Sequence, residues 1–402
     1  MSKLAIDGGA PVRTAGFSQW PIYDELELQM LKEVLESGKW GGSGGTKAGY
    51  EAKLPKMERE FAKLQDSAYA VSVVNGTVAI TVALQAAGVR SGDEVIIPPY
   101  TFIATATAAL AYGAIPVFAD IEPDTLLIDP EKVEALITPK TKAIIAVHIA
   151  GAPANMTRLG EIARKHGLAL IEDAAQAVGA KWEGRGVGSI GDLGTFSLQS
   201  SKNLNAGEGG IITTNQAHLW ENAWSICNVG RIPNGEWYQH EKLGQNYRLS
   251  EFQAAIVLAQ MTRLEEQMTL REQNAARLDS LLGSIDGVRL MKQDPRITRH
   301  AYHLYMFKLE PSVTERVQKA EVIRRLQAEG IPVAAGYVPL NRNVAVLDAV
   351  EAWTGKRTQQ DCPVCEAVCE KEALWLTQNV LLSDVQAMDD VAEAVRKVLS
   401  SL

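Results

Sequence analysis

Ala143-Ile144-Ile145-Ala146-Val147, inside a strand expected over Lys142 to His148, is too short for a core helix and too evenly apolar for a strand with one wet face. It reads as a strand buried on both sides, as in a parallel sheet covered by helices. Helical spacing follows over Met156 to His166, and a second apolar run, Leu168 to Ile171, leads into Glu172-Asp173-Ala174-Ala175-Gln176. The alternation extends toward the N-terminus. Strands are expected over Ala68–Val74, Glu94–Ile97 and Ile115–Ala119, and helices over Thr77–Gly88, Ile103–Tyr112 and Pro130–Ile137. Strand–helix alternation with short Gly, Pro and Asp connections predicts an α/β fold with a mostly parallel central sheet and helices on both faces.

The flanks read differently. Residues 1–66 form an N-terminal leader of helices and loops, with helical spacing over Tyr23–Gly38 and Glu51–Leu64 around the glycine-rich loop Gly41-Gly42-Ser43-Gly44-Gly45. Residues 67–250 form the large α/β domain, closing with strands at Phe196–Leu198 and Gly210–Thr213. A long helical stretch over Ser250–Leu282 supplies the linking segment 251–284, which leads to a smaller C-terminal α+β domain over 285–402. That domain is expected to hold strands at Tyr302–Leu309 and Pro332–Ala335, and helices at Lys319–Glu329 and Ser383–Val398.

Composition bounds the function. Lys plus Arg number 40 against 48 Asp plus Glu, a net charge of −8, so no general basic field draws in nucleic acid. No run approaches the roughly 18 apolar residues of a membrane span, and Met1–Gln19 has no apolar core like that of a signal peptide, so a cytoplasmic protein not bound to membrane is expected. The cluster Cys362, Cys365, Cys369 lacks a second ligand pair nearby and reads as reduced thiols at a helix start, with no metal. Gly186-Val187-Gly188-Ser189-Ile190-Gly191 matches a dinucleotide fingerprint, but neither a strand before it nor a helix after it is expected, so it reads as tight turns.

Four pieces suit one cofactor. Lys202 lies in a small-residue loop after an apolar strand; in a desolvated cleft its amine becomes a nucleophile for an aldehyde. Asp173 follows a strand end, where ligands of parallel sheets bind, and a carboxylate there can keep a pyridine nitrogen protonated. Gln176, three residues on, can bond a ring hydroxyl. Val73-Val74-Asn75-Gly76-Thr77 reads as strand, turn and helix start, a place for a phosphate, with the Thr77 and Ser197 hydroxyls adding donors. Phe102, at another strand end, can stack on a flat ring. Each piece has an ordinary alternative: a solvated lysine, a helix cap, a plain connection, a core aromatic. Their order along the chain is what argues for pyridoxal 5'-phosphate.

With these residues quoted, the chain resembles the DegT/DnrJ/EryC1/StrS aminotransferases, a branch of the fold type I pyridoxal-phosphate enzymes. The resemblance runs from Leu4-Ala5-Ile6-Asp7-Gly8-Gly9 through Glu172-Asp173-Ala174-Ala175-Gln176 and Phe196–Lys202 to Gly207-Glu208-Gly209-Gly210 and Asn246-Tyr247-Arg248-Leu249-Ser250-Glu251. It implies that Lys202 is the Schiff-base lysine and that Asp173 pairs with the pyridine nitrogen and Gln176 with the ring hydroxyl. Gly76, Thr77 and Ser197 would hold the phosphate, and Phe102 would stack on the ring. It also implies a homodimer in which Asn246 reaches the phosphate in the neighbouring subunit. Related sugar dehydratases resemble this pattern with histidine at the lysine position, so Lys202 favours transamination.

Gln199 resembles the Ser-x-Gln form of members that act on cyclitol ketones or make 3-amino-5-hydroxybenzoate, and Arg231, after Gly230, is similar to that subgroup. The expected reaction moves an amino group from glutamine or glutamate, by way of pyridoxamine phosphate, to a keto-cyclitol such as scyllo-inosose or its 2-deoxy form, in aminocyclitol or antibiotic biosynthesis. Alternatives are a 3-amino-5-hydroxybenzoate synthase-like enzyme, a nucleotide-linked ketosugar aminotransferase using Arg231, Arg248 or Arg342, and a non-catalytic cofactor-binding regulator.

Overall fold

Seven strands build the main sheet of this computed structural model, which describes residues 3–42, 48–236 and 238–402. In chain order come β1 (Tyr69–Val73), β2 (Glu94–Ile97), β3 (Ile115–Phe118), β4 (Thr141–Val147), β5 (Ala169–Asp173), β6 (Lys181–Trp182), β7 (Arg185–Gly186), β8 (Leu193–Ser197) and β9 (Gly210–Thr214); the short β6 and β7 pair in a separate sheet, and the other seven are those of the main sheet. Their order in the sheet is β1-β9-β8-β5-β4-β2-β3. β3, β2, β4, β5 and β8 run parallel, while β9 pairs antiparallel with both β8 and β1. The C-terminal ends of β1, β2, β4, β5 and β8 therefore meet along one edge, where a parallel sheet leaves its ligand crevice. The even hydrophobicity of β4 is matched by burial of all its residues except Lys142.

Helices α1 (Glu25–Ser37), α2 (Lys53–Leu64), α3 (Gly76–Ala86), α4 (Ala104–Leu110), α5 (Pro130–Ala135), α6 (Met156–His166) and α7 (Ala217–Cys227) accompany this sheet. Caps match the local sequence: Asn75 accepts from Val78 N–H at 2.9 Å at the start of α3, and Asp24 with Glu27 forms a capping box on α1. Of the glycine-rich loop, Ser43–Gly45 lie outside the described residues.

Helix α8 (Glu251–Leu282) runs for 32 residues from a Ser250–Gln253 capping box, with neither glycine nor proline inside it. Its first half meets the leader. Glu251 accepts from the Lys53 N–H at 2.5 Å, and Gln260 donates to Glu27 at 2.7 Å. Its second half meets the C-terminal elements, with Asn274 donating to the carbonyls of Leu381 and Ser383 at 2.9 Å each. Beyond it lie β10 (Val288–Leu290), β11 (Ile297–Arg299) and β12 (Leu304–Leu309). They are followed by α9 (Pro311–Thr314), α10 (Lys319–Ala328), α11 (Val344–Thr354), α12 (Pro363–Ala367), β13 (Ala373–Thr377) and α13 (Val385–Leu399). β10, β12 and β13 form a separate three-stranded sheet with its own buried cluster, built around Leu278, Phe307, Leu374 and Val391 and joined by Leu4 from the N-terminus.

One expected strand contracts. Pro332–Ala335 is not a strand; only Ala334 bridges to Trp375. Pro332 has no N–H to give a ladder, and Val333 N–H turns back to Ile331 O at 2.8 Å. The partner of that bridge, β13, was not expected from the sequence. The four cysteines are free and buried, and Cys362 stands at the N-cap position of α12 without a side-chain cap bond. Among the described residues no helix is long and apolar enough to cross a membrane.

Candidate active site

β5 ends in two carboxylates on opposite faces. Glu172 is fully buried and takes N–H bonds from Gly188, Ile190 and Gly191 at 2.8, 2.8 and 2.7 Å, plus His148 Nε2 at 2.9 Å. His148 Nδ1 accepts from Ala154 N–H at 3.0 Å, which places the imidazole proton on Nε2. Burial alone would raise the Glu172 carboxyl. The His148 hydrogen bond and the backbone donors outweigh it and hold the group below the usual carboxylate range. The sequence that mimics a dinucleotide fingerprint is thus a turn that wraps an internal carboxylate.

Asp173 faces the other way, into a cavity of about 560 Å³ at the C-terminal edge of the sheet. It takes only two bonds, from Thr105 Oγ1 at 2.9 Å and Ala175 N–H at 3.2 Å, and makes no ion pair among the described residues. Burial pushes its carboxyl up, opposed by those donors and by the charge of Lys202. Lys202 enters the same cavity from the loop after β8, where its N–H turns back to Gln199 O at 2.8 Å. Burial pulls its amine below the ordinary lysine range, with Asp173 opposing. A lysine shifted this way is deprotonated more readily, the state that attacks a carbonyl.

The start of α3 forms the third wall. A Cβ at Gly76 would sit 2.8 Å from Ser197 Cβ, and one at Gly210 would sit 2.5 Å from the Asn75 carbonyl, so α3, β8 and β9 converge only because both positions are glycine. The N–H groups of Gly76 and Thr77 make no hydrogen bond among the described residues, and the Thr77 and Ser197 side chains line the cavity beside them. Phe102 lines the cavity and is 59% exposed. Gln176 also lines it, with Oε1 accepting from Ala150 N–H at 2.6 Å and Nε2 donating to Tyr337 Oη at 2.7 Å. Burial pushes the Tyr337 hydroxyl up to about 12, which keeps it a donor.

Seven of the expected site residues thus meet in one cavity: Gly76, Thr77, Phe102, Asp173, Gln176, Ser197 and Lys202. Gln199 lines it too, but its amide is engaged locally, Oε1 with Ser201 N–H at 2.8 Å and Nε2 with Ser200 Oγ at 2.9 Å. Asn246 and Arg231 lie elsewhere, on the segment between α7 and α8, where Asn246 is exposed and bridges Asn228 and Arg231 bridges His240. Arg342 pairs with Asp361 and Glu366 on the surface. His303, Tyr337, Trp375 and Thr377 also line the cavity, and sequence reasoning missed them.

The residues fit pyridoxal phosphate. A helix start with free N–H groups and two hydroxyls suits the phosphate, and a buried carboxylate without an ion-pair partner suits a protonated ring nitrogen. A lysine with a lowered pKa lies close enough to that carboxylate to feel its charge.

Comparison with known proteins agrees. The DegT/DnrJ/EryC1/StrS aminotransferase family profile matches residues 21–396. The L-glutamine:2-deoxy-scyllo-inosose aminotransferase of Streptomyces kanamyceticus is 39% identical, covering 99% of this chain and 97% of its own. The 3-amino-5-hydroxybenzoate synthase of Amycolatopsis mediterranei (strain S699) is 37% identical, covering 94% and 96%. A crystal structure of 3-amino-5-hydroxybenzoic acid synthase superposes with a TM-score of 0.87 at 35% identity, covering 98% of this chain and all of that one.

Proposed function

The chain belongs to the DegT/DnrJ/EryC1/StrS aminotransferase family and is a pyridoxal-phosphate-dependent transaminase, and on that premise we propose that it moves the amino group of L-glutamine onto a keto-cyclitol of the 2-deoxy-scyllo-inosose type, in aminocyclitol biosynthesis. The observation that carries the chemistry is the meeting of Asp173, Lys202 and the Gly76–Ser197 cradle in one cavity. The acceptor class rests on the relatives and on charge. Among the described residues lining the cavity, Lys202 is the only lysine or arginine, which suits a neutral polyhydroxylated ketone better than a diphosphate.

Bound pyridoxal phosphate supplies an aldehyde carbon and an electron-withdrawing ring. Asp173 would hold the proton at the ring nitrogen, Gly76, Thr77 and Ser197 would bind the phosphate, Phe102 would cover the ring face, and Gln176 would bond the ring hydroxyl. With the cofactor bound, the Lys202 Nζ would take the proton from the donor's α-carbon in the first half-reaction and would deliver one to the carbon that was the ketone in the second.

We also propose a homodimer, since Asn246 is exposed outside its own cavity and Phe102 stands 59% exposed at the cavity's edge, where a second copy would cover it. Sedimentation at twice the chain mass is expected; a monomer active at the same concentration overturns the shared site.

The function is tested by adding glutamine to the cofactor-loaded protein. The visible absorption band should disappear with glutamine and return on adding 2-deoxy-scyllo-inosose. In Lys202→Ala turnover should fall at least about 10³-fold, the scale of losing the group that moves the proton. Cycling that persists in Lys202→Ala would sink the assignment.

A further inference from the structure

His303, at the entry to β12, lines the cavity and is only 6% exposed. Its Nδ1 lies 3.1 Å from Asn203 Oδ1. The Asn203 amide nitrogen donates to Ala301 O at 2.6 Å, which fixes which end of that amide faces the ring. Oδ1 can only accept, so Nδ1 carries the proton and Nε2 keeps its lone pair. Among the described residues Nε2 has no hydrogen-bond partner. Asn203 directly follows Lys202, so the imidazole is referenced to the same loop as the reactive amine.

The backbone around His303 is held under strain. Tyr302 sits at φ +46°, a left-handed conformation that is costly for an aromatic residue. Its N–H is tied to His300 Nδ1 at 2.8 Å, and its ring stacks on His300 at 3.9 Å. Gly151 lies against the turn; a Cβ there would come within 2.9 Å of Tyr302 N and Ala301 Cβ. Burial, with the charges of Lys202 and Arg271, holds the His303 imidazole well below its ordinary range, so it stays neutral.

Building on the transaminase reading above, we propose that His303 is a specificity-determining residue whose Nε2 lone pair accepts a hydrogen bond from a hydroxyl of the ketone acceptor. Glutamine has no hydroxyl to make that bond, so under this assignment the two half-reactions should separate.

H303N keeps an N–H toward Asn203 and removes the Nε2 acceptor, whereas H303Q places an amide oxygen near the lost lone pair. Both variants are run as full holoenzymes, the glutamine half-reaction by absorbance and the ketone half-reaction with 2-deoxy-scyllo-inosose. In H303N the KM for the ketone is expected to rise about tenfold, the scale of one hydrogen bond, with kcat and the glutamine half-reaction within about twofold. H303Q should recover most of the KM. Equal losses in both half-reactions, an unchanged KM, or H303Q no better than H303N would overturn the assignment. If the wild type ignores the cyclitol ketone but aminates a nucleotide-linked ketosugar, the proposed acceptor class falls, and the same pair of variants on that substrate decides the role of His303.

Discussion

Glu172 and Asp173 are neighbours in one strand with opposite surroundings. Glu172 meets three backbone N–H groups and an imidazole, and every donor is spent inside the fold. Asp173 meets a hydroxyl and one N–H, and its remaining capacity opens onto the cavity. The same contrast separates the two glycine-rich turns. The Gly188–Gly191 turn is filled by the chain's own carboxylate, whereas the Gly76–Thr77 helix start keeps its N–H groups unpaired among the described residues. A satisfied anion site stabilises a fold; an unsatisfied one waits for a ligand.

Substitution at each carboxylate should sharpen that contrast. Asp173→Asn should lower turnover about 10²–10³-fold, the scale of losing one positioned electrostatic group, while the melting temperature changes little. Removing the negative charge also removes the influence that favours the Lys202 ammonium, so the amine should titrate at still lower pH, measurable by the pH dependence of its acylation in the cofactor-free protein. A loss of folding in Asp173→Asn as large as that in the Glu172 variant would erase the distinction.

Glu172→Gln should act in the opposite sense, costing about 3 kcal/mol of stability because a buried acceptor of charge-assisted bonds is weakened, with activity per folded molecule nearly retained. Denaturant midpoints against kcat on the same samples check this. The smallest expected effect is its pH dependence. The folded Glu172 carboxyl lies below its unfolded value, about 4.3, so its contribution is present above that pH and is lost as acid carries the protein through the lower folded value. Glu172→Gln should therefore melt with a shallower acid dependence below about pH 4 than the wild type. Parallel acid curves would remove Glu172 from the account.

How much of this was legible beforehand follows from where each side chain's surroundings come from. Asp173, Gly76 and Ser197 sit at the ends of strands or helices, and Lys202 in the loop just after one, and the hydrophobic pattern of those elements is local, so their edge of the sheet could be read from periodicity. The long helix was equally plain as a helical stretch over Ser250–Leu282, and the structure adds the Ser250–Gln253 cap at its start. His303, Tyr337, Trp375 and Thr377 reach the cavity from another sheet and its loops. Their proximity depends on how that sheet docks, which no local pattern encodes. β13 was missed because Ala373–Thr377 is a short apolar run between helical turns, and the expected strand at Pro332–Ala335 overlooked the missing proline N–H. The role of the glycine turn at Gly186–Gly191 was hidden for the same reason as His303: its anion comes from β5, 16 to 19 residues earlier in the chain.

Helix α8 has a mechanical meaning. At 1.5 Å per residue its 32 residues make a rod about 48 Å long, anchored at one end beside the leader and at the other against the carbonyls of Leu381 and Ser383. Lacking glycine and proline, the rod has no soft joint along its shaft. The leader and the C-terminal elements are thus braced by one stiff member, while the cavity walls themselves are pinned across the gap by the His303–Asn203 and Gln176–Tyr337 hydrogen bonds.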